Sequence, residues 1–251
     1  MRLAIAVFLA LTVTAGAAQA VSPVTVVFGT SWDGPTNDLQ HIVDAVYGPG
    51  IHVNTDYIGA HPFQPDPFYW SDAGFSSLLV KEVAGNRDRN TVGWYLETGV
   101  MPASLLNDNI HDGVVFDGPA NPGATKSVNF SGAHTHFGFY MNPNGTGNAT
   151  NAPEPELFFT NRFFNDKGPN GVAVHAPFDG DVQALVFDIS VIKHQPNTWL
   201  VCFEDLDSGP NPTSCCSQTD NDFNDLVFEV HAIGITPVIH MTYTDLRKKY
   251  K

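Results

Sequence analysis

Short apolar segments bounded by Gly, Pro, Asn or Asp recur along most of the chain. They are enriched in Val, Phe, Tyr and Trp, which are residues that favour β-strands. The segments that predict strands are residues 77–83, 91–97, 114–116, 136–141, 157–160, 183–189, 198–204 and 226–232. Short strands separated by turns, without alternating helices, predict an all-β fold, namely a β-sandwich with jelly-roll-like topology.

One segment near the N-terminus has helical spacing instead. Asn37 is the predicted N-cap of this helix, and Gly48-Pro49-Gly50 ends it. The apolar positions that share one face of the predicted helix are Leu39, Ile42, Val43 and Val46. Residues 24–28 predict a first strand before the helix, and residues 60–70, which are rich in proline and aromatics, predict an ordered loop after it. We therefore expect a sandwich with one short N-terminal helix.

The first twenty residues have the pattern of a secretory signal peptide. Arg2 precedes a short apolar run, and Ala18-Gln19-Ala20 resembles a cleavage site. The apolar run is too short to span a bilayer comfortably, so we expect a secreted, extracellular protein with no membrane span after cleavage. The predicted organisation is a signal peptide at 1–20, an N-terminal strand, helix and loop at 21–70, a β-sandwich domain with an acidic site at 71–233, and a basic tail at 234–251.

Acidic residues outnumber basic residues by 26 to 12, and the formal net charge is −14. This charge argues against a nucleic acid partner, because phosphates require a basic surface. It also argues against docking on anionic lipids. A content of 43 % hydrophobic residues allows a substantial core. The acidity suits an extracellular protein that holds divalent cations, although it also serves solubility.

Three cysteines follow the predicted signal peptide: Cys202, Cys215 and Cys216. In an oxidising compartment we expect a disulfide from Cys202 to one of the later two, and the sequence does not choose between them. The alternative interpretation is a buried Cys202 with two loop thiols.

The acidic run that begins at Asp220 has the clearest chemical meaning. Calcium takes roughly six to eight oxygen ligands, and crowded carboxylates repel one another without a cation. The spacing matches the start of an EF-hand loop, but Asp225 stands where that loop needs Gly and His231 where it needs Glu, so an EF-hand is excluded. An extended path would point three of the oxygen-bearing side chains to one side, with Phe223 anchored in the core and Asp225 facing away. Those three are Asp220, Asp222 and Asn224.

A second acidic cluster, Glu204-Asp205-Leu206-Asp207, ends the strand predicted at 198–204. A disulfide from Cys202 would hold this cluster close to the Asp220 run. Two acidic clusters brought together repel each other unless a cation lies between them, so we predict a Ca²⁺ site. The alternative is a solvated acidic turn in which Asp and Asn serve as turn formers.

These residues also carry a family resemblance. Phe203-Glu204-Asp205-Leu206 followed by the segment from Asp220 to Phe228 resembles the signature of a domain family of unknown function, which occurs in bacterial secreted proteins and in large calcium-rich surface adhesins. The resemblance extends upstream through residues 78–85, 90–95 and 137–140. It implies a β-sandwich in which both acidic segments share a calcium site, with the ligands Glu204, Asp205, Asp220, Asp222, Asn224 and Asp225. Many single-domain relatives end in a sorting segment, and residues 234–251 depart from that pattern, which favours free secretion over anchoring.

Two other groups of residues offer competing sites. His134 and His136 share one face of a predicted strand and could chelate a transition metal, if a third ligand such as His111 or His175 lay nearby. Most such pairs are polar surface positions. The tryptophans could form a sugar-stacking surface, although large aromatics are mostly core residues. They are Trp32, Trp70, Trp94 and Trp199.

Together these observations predict a secreted, calcium-binding β-sandwich that acts as a non-enzymatic adhesion, matrix or carbohydrate-binding module. The sequence has no G-x-S-x-G elbow, no H-E-x-x-H helix and no phosphate-binding glycine loop, which argues against catalysis. The alternatives are an extracellular carbohydrate-active enzyme with a structural calcium and a subunit of an extracellular polymer. The expected partner is an extracellular glycan or surface matrix, and the sequence leaves the ligand and the oligomeric state open.

Overall fold

A computed structural model of the protein describes residues 26, 28–29, 34–61, 70–84, 89–98, 102, 106–130, 135–143, 157–165, 182–205 and 220–233. In this part of the chain the first element is helix α1 (Leu39–Tyr47). The strands are β1 (Trp70–Asp72), β2 (Gly74–Glu82), β3 (Thr91–Leu96), β4 (Asp112–Phe116), β5 (Thr125–Asn129), β6 (Thr135–Asn142), β7 (Phe158–Phe159), β8 (Ala184–Asp188), β9 (Thr198–Phe203) and β10 (Leu226–Ala232). A short 3₁₀ helix, Arg162–Phe164, follows β7. The predicted all-β sandwich with one short helix is confirmed.

The strands form two antiparallel five-stranded sheets. Sheet A has the order β1-β6-β3-β4, and β7 also pairs with β6. Sheet B has the order β5-β2-β10-β9-β8. Strand β10 thus inserts between β2 and β9, and its pairing with β2 joins segments that are far apart in the sequence.

The inner faces of the two sheets enclose an aromatic core. Strand β6 places Phe137, Phe139 and Met141 in this core because alternate residues of a strand point to the same face. Sheet B contributes Phe75 and Phe228 among other residues. The Phe139 ring meets these two rings edge to face, with centroids 5.1 and 5.3 Å apart. Aromatic pairs prefer this geometry, so the contacts help to fix how the sheets stack.

Both sheets are also covered on their outer faces. Helix α1 and the residues after it cover β8, β9 and β10 through a second apolar cluster that contains Leu39, Val43, Ile51, Val53, Tyr57, Leu185, Phe187, Leu200, Cys202, Phe223 and Val227 among its members. A smaller cluster on sheet A comprises Tyr95, Tyr140, Leu157, Phe159 and Phe164. Strand β9 is therefore buried at every position, which explains why its residues from Trp199 to Phe203 are all apolar.

The N-cap prediction for helix α1 is wrong by one residue. Asp38, not Asn37, is the N-cap, and its side chain accepts a hydrogen bond from the backbone N–H of His41. Leu39, Ile42 and Val43 are buried as predicted, whereas Val46 is 51 % exposed. The apolar face is therefore narrower than its spacing predicted.

The strand predictions missed two strands and included one segment whose described residues are not in a strand. Strands β1 and β5 were not predicted, and Trp70, which was assigned to a loop, begins β1. Val26 and Phe28, the described residues of the strand predicted at 24–28, are not in a strand. The predicted signal peptide at 1–20 and the tail from residue 234 lie outside the described residues. In the part of the chain that is described, no helix has the length and apolar character needed to cross a membrane.

Candidate metal centre

The two acidic segments meet because β9 and β10 are neighbours in sheet B. Phe203, the last residue of β9, pairs with Leu226, the first residue of β10. Glu204 and Asp205 follow β9 directly, and the acidic run from Asp220 leads directly into β10. The antiparallel register therefore places both segments at the same end of sheet B, where β9 ends and β10 begins, without any covalent bridge.

Three carboxylates converge at this end of sheet B. One oxygen each from Glu204, Asp222 and Asp225 lies within 4.8 Å of the other two. Their residues are 0 %, 4 % and 6 % exposed, so the cluster is withdrawn from solvent. Among the described residues this is the only group of three or more His, Cys, Asp or Glu side chains with the spacing of metal ligands.

Backbone amides hold each of these carboxylates in position. Glu204 Oε2 accepts hydrogen bonds from the N–H groups of Asp222 and Phe223, at 3.1 and 3.3 Å. Asp225 Oδ2 accepts from the N–H of Asp205 at 2.7 Å, and Asp222 Oδ1 accepts from the N–H of Asn224 at 3.3 Å. Each acidic segment thus orients a carboxylate of the other, which gives the cluster a defined geometry.

The acidic run does not follow the extended path that we predicted. Asn221 and Phe223 have φ angles of 51° and 54°, in the left-handed region. The positive φ angles at these two residues turn the side chain of Asp225 toward Asp222 and Glu204. In a regular strand the Asp225 side chain would have pointed to the opposite face. Phe223 itself is buried in the apolar cluster beneath α1, so its predicted role as an anchor is confirmed.

The other three predicted ligands lie around the cluster. Asp205 is buried, and its Oδ2 accepts a hydrogen bond of 3.1 Å from the Nδ2 of Asn90. Asn224 is buried and donates from Nδ2 to the carbonyl oxygen of Asn37 at 2.6 Å. Asp220 is half-buried at the start of the run. Their roles as ligands remain predictions.

The burial and crowding of these carboxylates affect the pKa of Asp225 most clearly. Burial raises its pKa well above the usual value, and the nearby charges of Glu204, Asp205 and Asp222 raise the pKa further. The hydrogen bond from the N–H of Asp205 acts in the opposite direction and is outweighed. A bound cation would reverse this balance because it favours the ionised form.

Several residues that support the site carry no signal in the sequence. Gly29 donates its N–H to the carbonyl oxygen of Asn221 at 3.1 Å, and the ring of Phe28 meets that of Phe223 at 5.8 Å. Asn90 and Asn37 hydrogen-bond to site residues as described above. These residues lie more than a hundred positions from the acidic run, so their participation depends on the tertiary fold.

The disulfide prediction does not hold for Cys202 in this structure. Cys202 is a free thiol, fully buried on the outer face of sheet B beneath α1. Burial raises the pKa of this thiol well above its ordinary value, which keeps it protonated and unreactive. Both proposed partners, Cys215 and Cys216, lie outside the described residues.

The competing sites receive no geometric support among the described residues. His136 is exposed, and His111 contacts the Asp108 carboxylate at 2.7 Å. His134 and His175 lie outside the described residues. Trp70, Trp94 and Trp199 are buried in the core between the sheets, as is usual for large aromatic residues. Trp32 lies outside the described residues.

The fold and this cluster define a β-sandwich protein with a buried acidic site at one end of sheet B. Residues 132–232 match a family described as Domain of unknown function (DUF4114). The match includes β6 to β10 and all six predicted ligands, but not α1 or β1 to β5. It therefore covers only the later part of the resemblance. No curated protein and no solved structure matches the chain.

Proposed function

We propose that this protein is a secreted, non-enzymatic calcium-binding β-sandwich. In this proposal the ion stiffens the loops at one end of the sandwich for adhesion, matrix attachment or carbohydrate binding. The observation that carries the proposal is the convergence of Glu204, Asp222 and Asp225 in a buried site.

The chemistry and the spacing of this cluster fit calcium. All three donors are carboxylate oxygens, which hard cations prefer, and none is sulfur or imidazole. Calcium–oxygen distances are about 2.3–2.6 Å, so ligands on opposite sides of one ion lie about 4.6–5.2 Å apart. The 4.8 Å limit within which the three oxygens lie is compatible with a shared ion.

The cost of burying these charges also supports a cation. Ionised carboxylates are expensive to bury unless they are paired or coordinate a metal. The strongest neighbouring charges around Asp225 are other carboxylates, which oppose its ionisation. Calcium needs more oxygens than three monodentate groups supply, and Asp205, Asp220 and Asn224 are the remaining predicted ligands.

The first prediction concerns thermal stability. An ion that binds only the folded state stabilises it, by about 2.7 kcal/mol at a concentration of one hundred times Kd. For a chain of this size this raises the Tm by roughly 5 to 11 °C. We expect such a rise when the purified protein is melted in millimolar CaCl2 rather than in EGTA, with MgCl2 as the ion control. Equal melting temperatures in CaCl2 and EGTA would refute the calcium site.

Substitutions within and outside the cluster make this experiment specific. Asp225→Asn should abolish most of the calcium-dependent rise, and should leave the calcium-free protein as stable as the wild type or more so, because one of the repelling charges is removed. Glu229→Gln is the matched control, since Glu229 is also buried but accepts hydrogen bonds from Tyr47 Oη and Lys193 Nζ, at 2.8 and 2.9 Å. This variant should be less stable in both buffers and should retain the calcium-dependent rise.

A further inference from the structure

A cleft of about 330 Å³ lies between helix α1 and the acidic run. Asp222, one of the three clustered carboxylates, forms part of its wall. Sites for small ligands begin at about 300 Å³, so the cleft has room for a single small ring. We propose that it binds a neutral sugar residue of an extracellular glycan, and that calcium bound at Asp222 orders one wall. The calcium dependence, but not the cleft itself, rests on the proposed function.

One part of the cleft wall is apolar. Phe28, Pro35, Leu39 and Val53 contribute to it. A pyranose ring has an apolar face of C–H groups, which packs against aromatic and aliphatic side chains, while its hydroxyl groups point outward. This combination of an apolar surface with a few polar groups is typical of ligand sites.

The wall is also fixed before any ligand arrives. Gln40, which lines the cleft, donates from Nε2 to the carbonyl oxygen of Ile51 at 2.8 Å and accepts the N–H of Val53 at 3.1 Å. These two bonds hold the start of α1 against the segment that contains Val53 and Asn54. A preformed wall reduces the entropy lost on binding.

The polar groups of the cleft suit hydroxyl groups. Asp38, Asn54 and Asp222 lie in its wall, and Asn54 is exposed. A carboxylate accepts hydrogen bonds, and a carboxamide both donates and accepts them. Sugar hydroxyl groups do both as well, so Asn54 can bond a hydroxyl group directly, and the lone pairs that Asp38 and Asp222 do not use elsewhere can accept from others.

The charges of the cleft favour a neutral ligand over an ionic one. No Lys or Arg is among the described residues that line it, which disfavours anionic sugars. Asp38 already accepts the N–H of His41 at 2.9 Å and lies 2.6 Å from the His41 ring nitrogen Nδ1. In our proposal Asp222 shares a calcium ion. A cationic ligand would therefore gain little, because both carboxylates are already engaged.

Saturation-transfer NMR on the full chain tests this proposal. The probes are the methyl glycosides of glucose, galactose and mannose, with methyl glucuronide as the anionic comparison, each in CaCl2 and in EGTA. Asn54→Trp should fill the cleft from its exposed rim, and His52→Trp is the matched control because His52 is exposed nearby but does not line the cleft. We expect at least one neutral glycoside to bind, with at least tenfold weaker binding in EGTA and in Asn54→Trp, and unchanged binding in His52→Trp.

The outcomes separate this proposal from the calcium site. If no neutral glycoside binds, or if Asn54→Trp binds as well as the wild type, the cleft proposal is overturned, whether or not calcium raises the melting temperature. If the glycoside binds equally in CaCl2 and EGTA, the coupling through Asp222 is overturned. If, in addition, calcium leaves the melting temperature unchanged, the calcium site fails and the sugar-binding cleft stands. Melting curves of Asn54→Trp and His52→Trp confirm that both variants are folded.

Discussion

Tyr140 combines complete burial with a hydroxyl group that has no hydrogen-bond partner among the described residues. Its side chain is 0 % exposed on the outer face of sheet A, and within the described part of the chain its Oη has no hydrogen-bond partner. Gly93 pairs with it on the neighbouring strand, where a Cβ atom would lie 2.1 Å from Tyr140 Cζ. The glycine is therefore required for space, and the hydroxyl group costs stability.

Two substitutions test this description of the Gly93–Tyr140 contact. Tyr140→Phe removes only the hydroxyl group, so the free energy of unfolding in urea should stay the same or rise by about 1 kcal/mol. Gly93→Ala places a methyl group against a packed ring, and the free energy of unfolding should fall by about 1–3 kcal/mol. A loss of stability in Tyr140→Phe would show that the hydroxyl group is satisfied after all.

Asp112 gives a prediction about pH. Its carboxylate accepts the N–H groups of Leu106 and Asn107. Burial nevertheless raises its pKa above the usual 3.8, and the charge of Asp108 adds to this effect. The native state therefore holds this proton to higher pH than the unfolded chain does. The contribution of Asp112 to stability is complete below about pH 4 and is lost as pH rises through the raised pKa.

Asp112→Asn stays neutral at every pH and removes this dependence. The difference in free energy of unfolding between the variant and the wild type should therefore shift in favour of the variant as pH rises from 4 to 7. Urea titrations at several pH values measure this difference, in which the contributions of all other groups cancel to a first approximation. A difference that does not vary with pH would contradict the raised pKa.

At the scale of elements, the strands that are buried along most of their length are the ones that the sequence predicted most accurately. Strands β9 and β10 are buried on almost every residue and are mostly apolar, with Thr198, Glu229 and His231 as the polar exceptions, so their enrichment in apolar residues identified them. Strand β6 was predicted from its enrichment in Phe and Tyr, and in the structure its residues alternate between the core and the outer face of sheet A. In these strands the local pattern and the tertiary environment agree, and the predicted boundaries differ by at most one residue.

Strand β5 shows why other elements were missed. Thr125–Asn129 lies at the edge of sheet B, and its residues are alternately exposed and half-buried. Its composition is polar, with Lys126 near the middle, which suits an edge strand because a lysine discourages pairing with other chains. Its strand conformation comes from pairing with β2, which a local pattern does not reveal.

The site was predicted in composition but not in conformation. The residues Glu204, Asp222 and Asp225 were all proposed from the sequence, and the structure brings them together. The backbone path was wrong because Asn221 and Phe223 adopt positive φ angles, which are uncommon for residues other than glycine. Burial of Phe223 and the contact with Gly29 accompany this path, and both involve distant parts of the chain.

At the scale of the whole molecule, the acidic run connects the N-terminal segment to the sandwich. Asn224 bonds to the carbonyl oxygen of Asn37, just before α1, and Asn221 accepts the N–H of Gly29. A Cβ atom at Gly29 would lie 1.6 Å from the carbonyl oxygen of Asp220, so the two segments are in tight backbone contact. An ion that orders the acidic run should therefore order the N-terminal segment as well.

Hydrogen exchange measures this coupling. Calcium should slow exchange of the backbone amides of Gly29 and helix α1, because local opening of this region becomes less favourable when the acidic run is fixed. The amides of β5, at the far edge of sheet B, should change little. Protection that increases equally in β5 and α1 would indicate general stabilisation rather than a connection through the acidic run.

Gly29→Ala separates ion binding from this connection. The added methyl group cannot be accommodated beside Asp220 without moving the N-terminal segment, whereas the atoms that it would meet belong to the Asp220 backbone and to none of the three clustered carboxylates. Calcium should therefore still raise the melting temperature of the variant but should no longer protect α1. Gly123→Ala is the control, because its φ of +93° makes alanine strained although no atom lies within 4 Å of the new Cβ. It should lose stability and keep the calcium-dependent protection of α1, and loss of that protection in both variants would contradict a specific path from the acidic run to the helix.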